Sequence, residues 1–288
     1  VRSPGGYLGE DIDVLYDFIH SGDESKRAYG NRVIRDTEMK NGMDRLTGDY
    51  NDFWAGRDYI NDMEPMKAAL LMSHGFNDWN VMPEHSYRIY EQAKKQDIPA
   101  QIYYHQNGHG GPPPISMMNR WFTHYLHGID NGVENDAKAW IVRENDAPDS
   151  PTSYKDYPNP DASEVTLFLE NGGLKTGSLT IEKPKNQGKE NLVDDYQFSG
   201  DDLAQAESSN NRLLYVTQTL SKDVHLSGLA NATITLASSK PAANLSVWLV
   251  SLPWNTDKNA KITDNIITRG WADPQNHKSL TESEPLVP

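Results

Sequence analysis

The sequence predicts an α/β part followed by an all-β part, with a helix-forming stretch in front, and three observations carry this. From Lys67 onward, short apolar runs alternate with helical patterns, the mark of β-α units on a parallel sheet. Beyond residue 163 helical periodicity nearly vanishes, and strand-like runs separated by turn-rich pieces take over. Ahead of both, Ile12, Leu15, Tyr16 and Ile19 recur on one helical face, and the charged stretch from Glu24 to Arg45 has few β-branched runs. The chain therefore divides into a helical segment over 1–65, a β-α segment over 66–145, a linker over 146–163 and a β-sandwich over 164–288.

Each element follows in order. "VRSPGGYLGED" reads as a loop before the first helix. "AALLMS" reads as a buried strand, and "MPEHSYRIYEQAKKQ" as a helix started by Pro83 with Ile89, Tyr90 and Ala93 on one side. "AQIYYH" is a second strand, and Ile115, Met118, Phe122, Tyr125 and Leu126 mark a helix after the next loop. The stretch around "RENDAPDSPTSYKDYPNPDAS" is rich in Pro, Asp and Ser, which defines the linker. "VTLFLE", "SLTIE", "RLLYVTQTL", "ATITLAS" and "LSVWLVSLPW" are the sandwich strands, expected to turn Leu167, Leu169, Tyr215, Ile234, Leu236, Val247 and Leu249 inward and Trp248 to the opposite side.

Composition narrows the function. At 288 residues and 36% hydrophobic, the chain is long enough for one large or two ordinary cores. Its 27 Lys and Arg against 41 Asp and Glu give a net charge of −14, spread along the chain, which argues against nucleic acid and anionic membrane surfaces as partners. No apolar run approaches the roughly 20 residues of a membrane-spanning helix. The absence of cysteine excludes disulfides, thiolate metal sites and a cysteine nucleophile, and fits a reducing cytosol.

Two loops carry the candidate chemistry. "HGFNDWNV" places Asp78 after the first strand, and "YYHQNGHGG" places His109 after the second. A serine hydrolase needs an imidazole to take the nucleophile's proton and a buried carboxylate to hold that imidazole in the right tautomer. The 31 residues between Asp78 and His109 suffice for a loop, a crossover helix and the next strand, so both fall at equivalent ends of adjacent strands. Taken singly, Asp78 also reads as a turn or cap, and His109 as a solvated loop residue. His105 competes with His109, but it ends the strand run, whereas His109 lies in the glycine loop. A metal site built from His85, His105, His109 and Asp78 is a further alternative, and it lacks the tight ligand pairs typical of zinc; no metal or cofactor is expected.

No serine here sits in Gly-x-Ser-x-Gly, the strained strand-to-helix elbow; Ser73 comes nearest, with Gly75 on one side and Leu71 on the other. In the chain order nucleophile, acid, histidine, a serine must precede Asp78, which leaves Ser3, Ser21, Ser25 and Ser73. None has the elbow context. The nucleophile is therefore expected upstream of Val1, and the chain, which opens on Val1 and stops at "SEPLVP", is expected to be an internal fragment that is inactive alone.

"VRSPGGYLGEDIDVL", "TGDYNDFW", "HGFNDWNV" and "YYHQNGH", in this order and spacing, resemble the Xaa-Pro dipeptidyl-peptidase family of lactic acid bacteria, serine peptidases related to cocaine esterase and the cephalosporin-ester acylases. The resemblance covers nearly the whole chain. It implies the carboxyl-terminal part of an α/β-hydrolase domain with a helical insertion, followed by a jelly-roll-like β-sandwich. It further implies a cytoplasmic homodimer that removes Xaa-Pro dipeptides from proline-containing peptides, with Asp78 as acid and His109 as base. "DVHLSG", residues 223–228, resembles the start of the family's sandwich. On spacing alone Glu10 or Asp11 reads as a cap of the helix near Ile12; the resemblance implies instead that Glu10 holds the substrate's amino terminus. An ester or amide acylase of the same family, and a non-catalytic binding module in which the Asp-His pair is a relic, are the competing readings.

Overall fold

The computed structural model describes residues 28–44 and 46–286. Glu10, Asp11 and the expected helix at Ile12–Ile19 lie outside these residues. Gly30–Met39 is wound as a π-helix and runs into an α-helical turn, α1 (Lys40–Met43), that ends where Asp44 adopts left-handed φ and accepts from the Thr47 hydroxyl. Asn51 caps α2 (Asp52–Ala55) by accepting from the Phe53 and Trp54 amides, while its own amide donates to the Gly42 carbonyl at 2.9 Å. The Trp54 indole donates to the Met43 carbonyl at 3.1 Å, so the short helix is pinned to the end of the preceding one.

The α/β sheet follows as expected. β1 (Leu70–Gly75) lies parallel to β2 (Ala100–His105), and α3 (Pro83–Lys95) crosses between them. Pro83 stands at the first helical position, where its missing N–H costs nothing, and Ser86, Tyr90 and Ala93 form the buried stripe of α3. Every residue of β2 is buried, as befits a strand covered on both faces. α4 (Ile115–His127) ends on left-handed Gly128. Its face differs from the expected one. Trp121, tilted at 48° against Tyr125, is the buried anchor, while Ile115, Phe122 and Leu126 are exposed. An apolar stripe tells which residues share a side of a helix, not which side finds a partner.

β3 (Ala139–Ile141) pairs parallel with β2, and β4 (Thr152–Tyr154) antiparallel with β3, giving the order β1-β2-β3-β4. β4 falls inside the stretch read as linker. Three residues suffice for an edge strand, and Pro and Asp around them mask the signal.

The chain clusters into two compact units: one of 1–155, 230–250 and 266–288, the other of 156–229 and 251–265. In the second, β5 (Phe168–Glu170) pairs antiparallel with β6 (Gly177–Thr180), which pairs parallel with β7 (Tyr215–Val216). α5 (Gly200–Gln205) opens with a capping box between Ser199 and Asp202. The Tyr215 hydroxyl bonds Glu190, and burial followed by that bond raises the phenol's pKa well above its ordinary value. In the first unit, β8 (Leu245–Val250) and β9 (Ile266–Ala272) form an antiparallel pair with a register shift at Leu249/Val250.

The carboxyl-terminal half thus carries strands, but they are short and separated by long irregular stretches, and the inward pattern expected of it is only partly realised. Leu169, Tyr215 and Leu249 are half-buried, whereas Leu167, Ile234, Leu236 and Val247 are exposed. "ATITLAS" forms no strand, and a run without a ladder partner has no pleat to sort its side chains between two faces.

Candidate active site

Gly75 closes β1, and the chain turns through residues 76–82 into α3. A side chain at position 75 has no room: a Cβ there would stand 2.1 Å from the Asn107 carbonyl oxygen of the loop after β2. The two loops are sewn together at this point. Phe76 N–H donates to His105 O at 2.8 Å, and the Asn77 side-chain amide donates to Gln106 O at 2.7 Å. Phe76 stacks on Tyr104 of β2 at 4.5 Å between centroids.

This stitching brings Asp78 and His109 together, with His109 Nδ1 3.0 Å from Asp78 Oδ2. The other carboxylate oxygen, Oδ1, accepts from the Asn80 and Val81 amides, both at 2.9 Å. Burial by itself would raise the Asp78 pKa, yet the bonds from Val81, His109 and Asn80 outweigh it and hold the carboxyl below its ordinary value. An ionised carboxylate facing Nδ1 fixes the proton on Nδ1 and leaves the Nε2 lone pair free. The Asp78 side chain is 4% exposed and that of His109 63%, so the acid is sealed and the base is open to an incoming group.

His105 does not face the acid. It is buried, its Nδ1 accepts from the Asn107 amide at 3.2 Å, and burial lowers its pKa. Gly111, at φ +115°, packs over its ring, where a Cβ would stand 2.6 Å from Nε2. The metal alternative fails on geometry: among the described residues the group whose ligand atoms approach one another is His124, Asp130 and Glu134, not His85, His105, His109 and Asp78.

Ser73 on β1 and Ser86 on α3 are both engaged in hydrogen bonds. Ser73 Oγ donates to Gly111 O at 2.6 Å, and buried Ser86 is bonded to His74 at 2.5 Å. His74 in turn stands 3.3 Å from Asp78 Oδ2. Sequence reasoning passed over His74 and Ser86. The signal available was a histidine directly before the Gly75 turn and a serine in the first turn of a helix that packs on the same strand.

Known proteins resemble the chain along nearly its whole length. Residues 1–111 match the family model described as X-Pro dipeptidyl-peptidase (S15 family), and residues 131–288 match the X-Pro dipeptidyl-peptidase C-terminal non-catalytic domain. A protein of Rhodopirellula baltica named as a Xaa-Pro dipeptidyl-peptidase is 61% identical over 289 residues, covering 100% of this chain and 46% of that protein. One of Bacillus anthracis is 34% identical, covering 100% of this chain and 47% of that protein. The Xaa-Pro dipeptidyl-peptidase of Lacticaseibacillus rhamnosus is 30% identical, covering 94% of this chain and 35% of that enzyme. The chain spans about half or less of the length of these relatives. An aminopeptidase from a marine sediment Thaumarchaeota archaeon superposes with a TM-score of 0.56 at 14% identity, over 98% of this chain and 56% of that one, which supports the fold alone. Among the described residues no helix is long and apolar enough to cross a membrane. With matching models on both sides of the α/β-to-β transition, the chain belongs to the Xaa-Pro dipeptidyl-peptidase (S15) family of peptidases.

Proposed function

We propose that this chain supplies the acid and the base of a serine exopeptidase that releases Xaa-Pro dipeptides from peptide amino termini. The observation that carries it is the 3.0 Å contact between His109 Nδ1 and a buried, amide-anchored Asp78 at neighbouring ends of parallel strands. In this reading His109 Nε2 takes the proton of a serine hydroxyl as that oxygen attacks the carbonyl carbon of the proline residue. The resulting imidazolium, stabilised by Asp78, returns the proton to the departing amine. Water then repeats the sequence on the acyl-enzyme and frees the dipeptide. The nucleophile is taken to be a serine outside these 288 residues, which accords with the engagement of Ser73 and Ser86. Glu10 is assigned to the substrate's α-ammonium group, and residues 164–288 to a jelly-roll-like sandwich in a cytoplasmic homodimer. The domain assignment keeps 1–65 as helical insertion and 66–145 as the catalytic end of the sheet.

The test compares the 288-residue chain with a longer polypeptide that includes the preceding segment, using an Ala-Pro anilide. Turnover by the longer protein, its loss in His109→Ala and none in the isolated chain are expected. Turnover of amino-acid esters without turnover of the Ala-Pro anilide would make it an acylase instead, and inertness towards both would favour a binding module.

A further inference from the structure

His74 is an ionisable side chain that the proposed reaction leaves without a role, although it is buried in the wall behind Asp78. It lies on β1 one residue before the Gly75 turn, so its backbone is fixed by pairing with β2 while its ring reaches under the 76–82 loop. Nε2 is 2.7 Å from the Val81 carbonyl oxygen and 3.3 Å from Asp78 Oδ2. Both of those oxygens can only accept, so Nε2 carries a proton. Nδ1 is 2.5 Å from Ser86 Oγ, so the ring and the hydroxyl share a hydrogen bond.

The ring thus joins three elements: β1 through its own backbone, the acid loop through Val81 O and the Asp78 carboxylate, and α3 through Ser86 in its first turn. Val81 is clamped from both sides, its N–H given to Asp78 Oδ1 and its carbonyl to His74. Turning the carboxylate away from His109 would give up the 3.3 Å approach of Nε2 to Oδ2, while the bond to Val81 O ties the ring to the loop that carries the acid. His74 also lies close enough to His85 on α3 and His105 on β2 for its charge to help lower their pKa values, after the larger effect of burial.

We infer that His74 is a positioning residue, which locks the 76–82 loop in the one conformation that turns Asp78 Oδ2 to His109 Nδ1. Its consequence for catalysis rests on the hydrolase reading above; its effect on the pair does not. A purely structural histidine would influence stability alone, whereas a positioning one governs which ring nitrogen of His109 bears the proton. That tautomer is read directly by two-bond proton–nitrogen correlation of 15N-labelled histidine in the 288-residue chain above pH 7.

In the wild-type chain neutral His109 is expected as the Nδ1–H tautomer, and in His74→Ala that preference is expected to be lost. His74→Gln, whose amide donates towards Val81 and Asp78, should restore it. Retention of the Nδ1–H form in His74→Ala, or its absence from the wild type, overturns the inference. Loss in both Ala and Gln variants also overturns it, since the effect would then belong to the space filled. Should His74→Ala not fold, Ser86→Ala decides, and an unchanged tautomer there counts against it. In a longer polypeptide with the nucleophile, His74→Ala should lower kcat roughly tenfold to a hundredfold with KM little changed. If no peptide is hydrolysed at all, the proposed function fails while the tautomer result stands.

Discussion

Gly75→Ala tests how tightly the site depends on the two loops touching. The added Cβ would begin 2.1 Å from Asn107 O and 2.6 Å from Gly108 O, both backbone atoms that no side-chain rotation can move. Ordinary contact begins at 3.4 Å, so the loop after β2 must retreat by about 1.3 Å. That loop carries His109 two residues beyond Asn107, while Asp78 is held by the Asn80 and Val81 amides on the other side of the gap. The retreat is therefore taken up largely by the 3.0 Å His109–Asp78 bond, stretching it beyond hydrogen-bond length. Overpacking of this kind costs about 1 to 3 kcal/mol of stability. A misplacement near 1 Å in a catalytic group costs on the order of a hundredfold in rate. Thermal unfolding of the 288-residue chain reads the first effect, and kcat for an Ala-Pro anilide in the longer polypeptide reads the second. A Gly75→Ala protein with unchanged kcat would refute the reasoning, because the loops would then be free to separate without disturbing the pair.

Other predictions follow from the same geometry. Asp78→Asn keeps the shape but loses the charge and can turn an amide N–H towards His109, and should lower kcat by about ten-thousandfold while KM holds. Burial lowers the His105 pKa, and in Asp78 the bonds from Val81, His109 and Asn80 outweigh burial to do the same. In both cases the unfolded chain binds protons more readily, so stability rises with pH. The His105 contribution is fully present above pH 6.5 and lost as pH falls through its lower folded value; that of Asp78 is present above pH 3.8 and lost in more acid solution. Denaturant midpoints measured from pH 8 to 3 should decline in those windows, and the lower decline should become shallower in Asp78→Asn, the remainder coming from Asp36, Asp202 and Glu284, whose pKa values are lowered too. In the peptidase reading, Glu10→Gln should cost about 1.5 to 3 kcal/mol in kcat/KM for free-amine substrates and far less for amino-blocked ones. Equal loss on both would make Glu10 a helix cap.

The strand-helix-strand core from Leu70 to His105 was legible from local pattern because each element there obeys its own period. β2 is a continuous apolar run, Pro83 marks the start of α3, and Tyr90 and Ala93 face inward as expected. Asp78 and His109 were legible as a pair because loops at the same ends of adjacent parallel strands meet in space. The later strands were harder to read. "ATITLAS" and the apolar run of β8 both read as strands in sequence, yet β8 found β9 and the former found no ladder, since pairing depends on segments far apart in the chain.

What the amino-acid sequence determined by itself was the chemistry on offer: an acid and an imidazole on two glycine-bearing turns, no cysteine, and a family signature in four short motifs. What only the tertiary structure decided was which histidine serves. His105 and His109 are four residues apart and of one chemical kind, but Gly111 folds over the first while the second is left at the carboxylate. His74 and Ser86 behind the acid became visible for the same reason. Hydrogen bonds between neighbouring strands and helices have no period in the sequence, and exist only once the backbone has placed their ends within 3 Å.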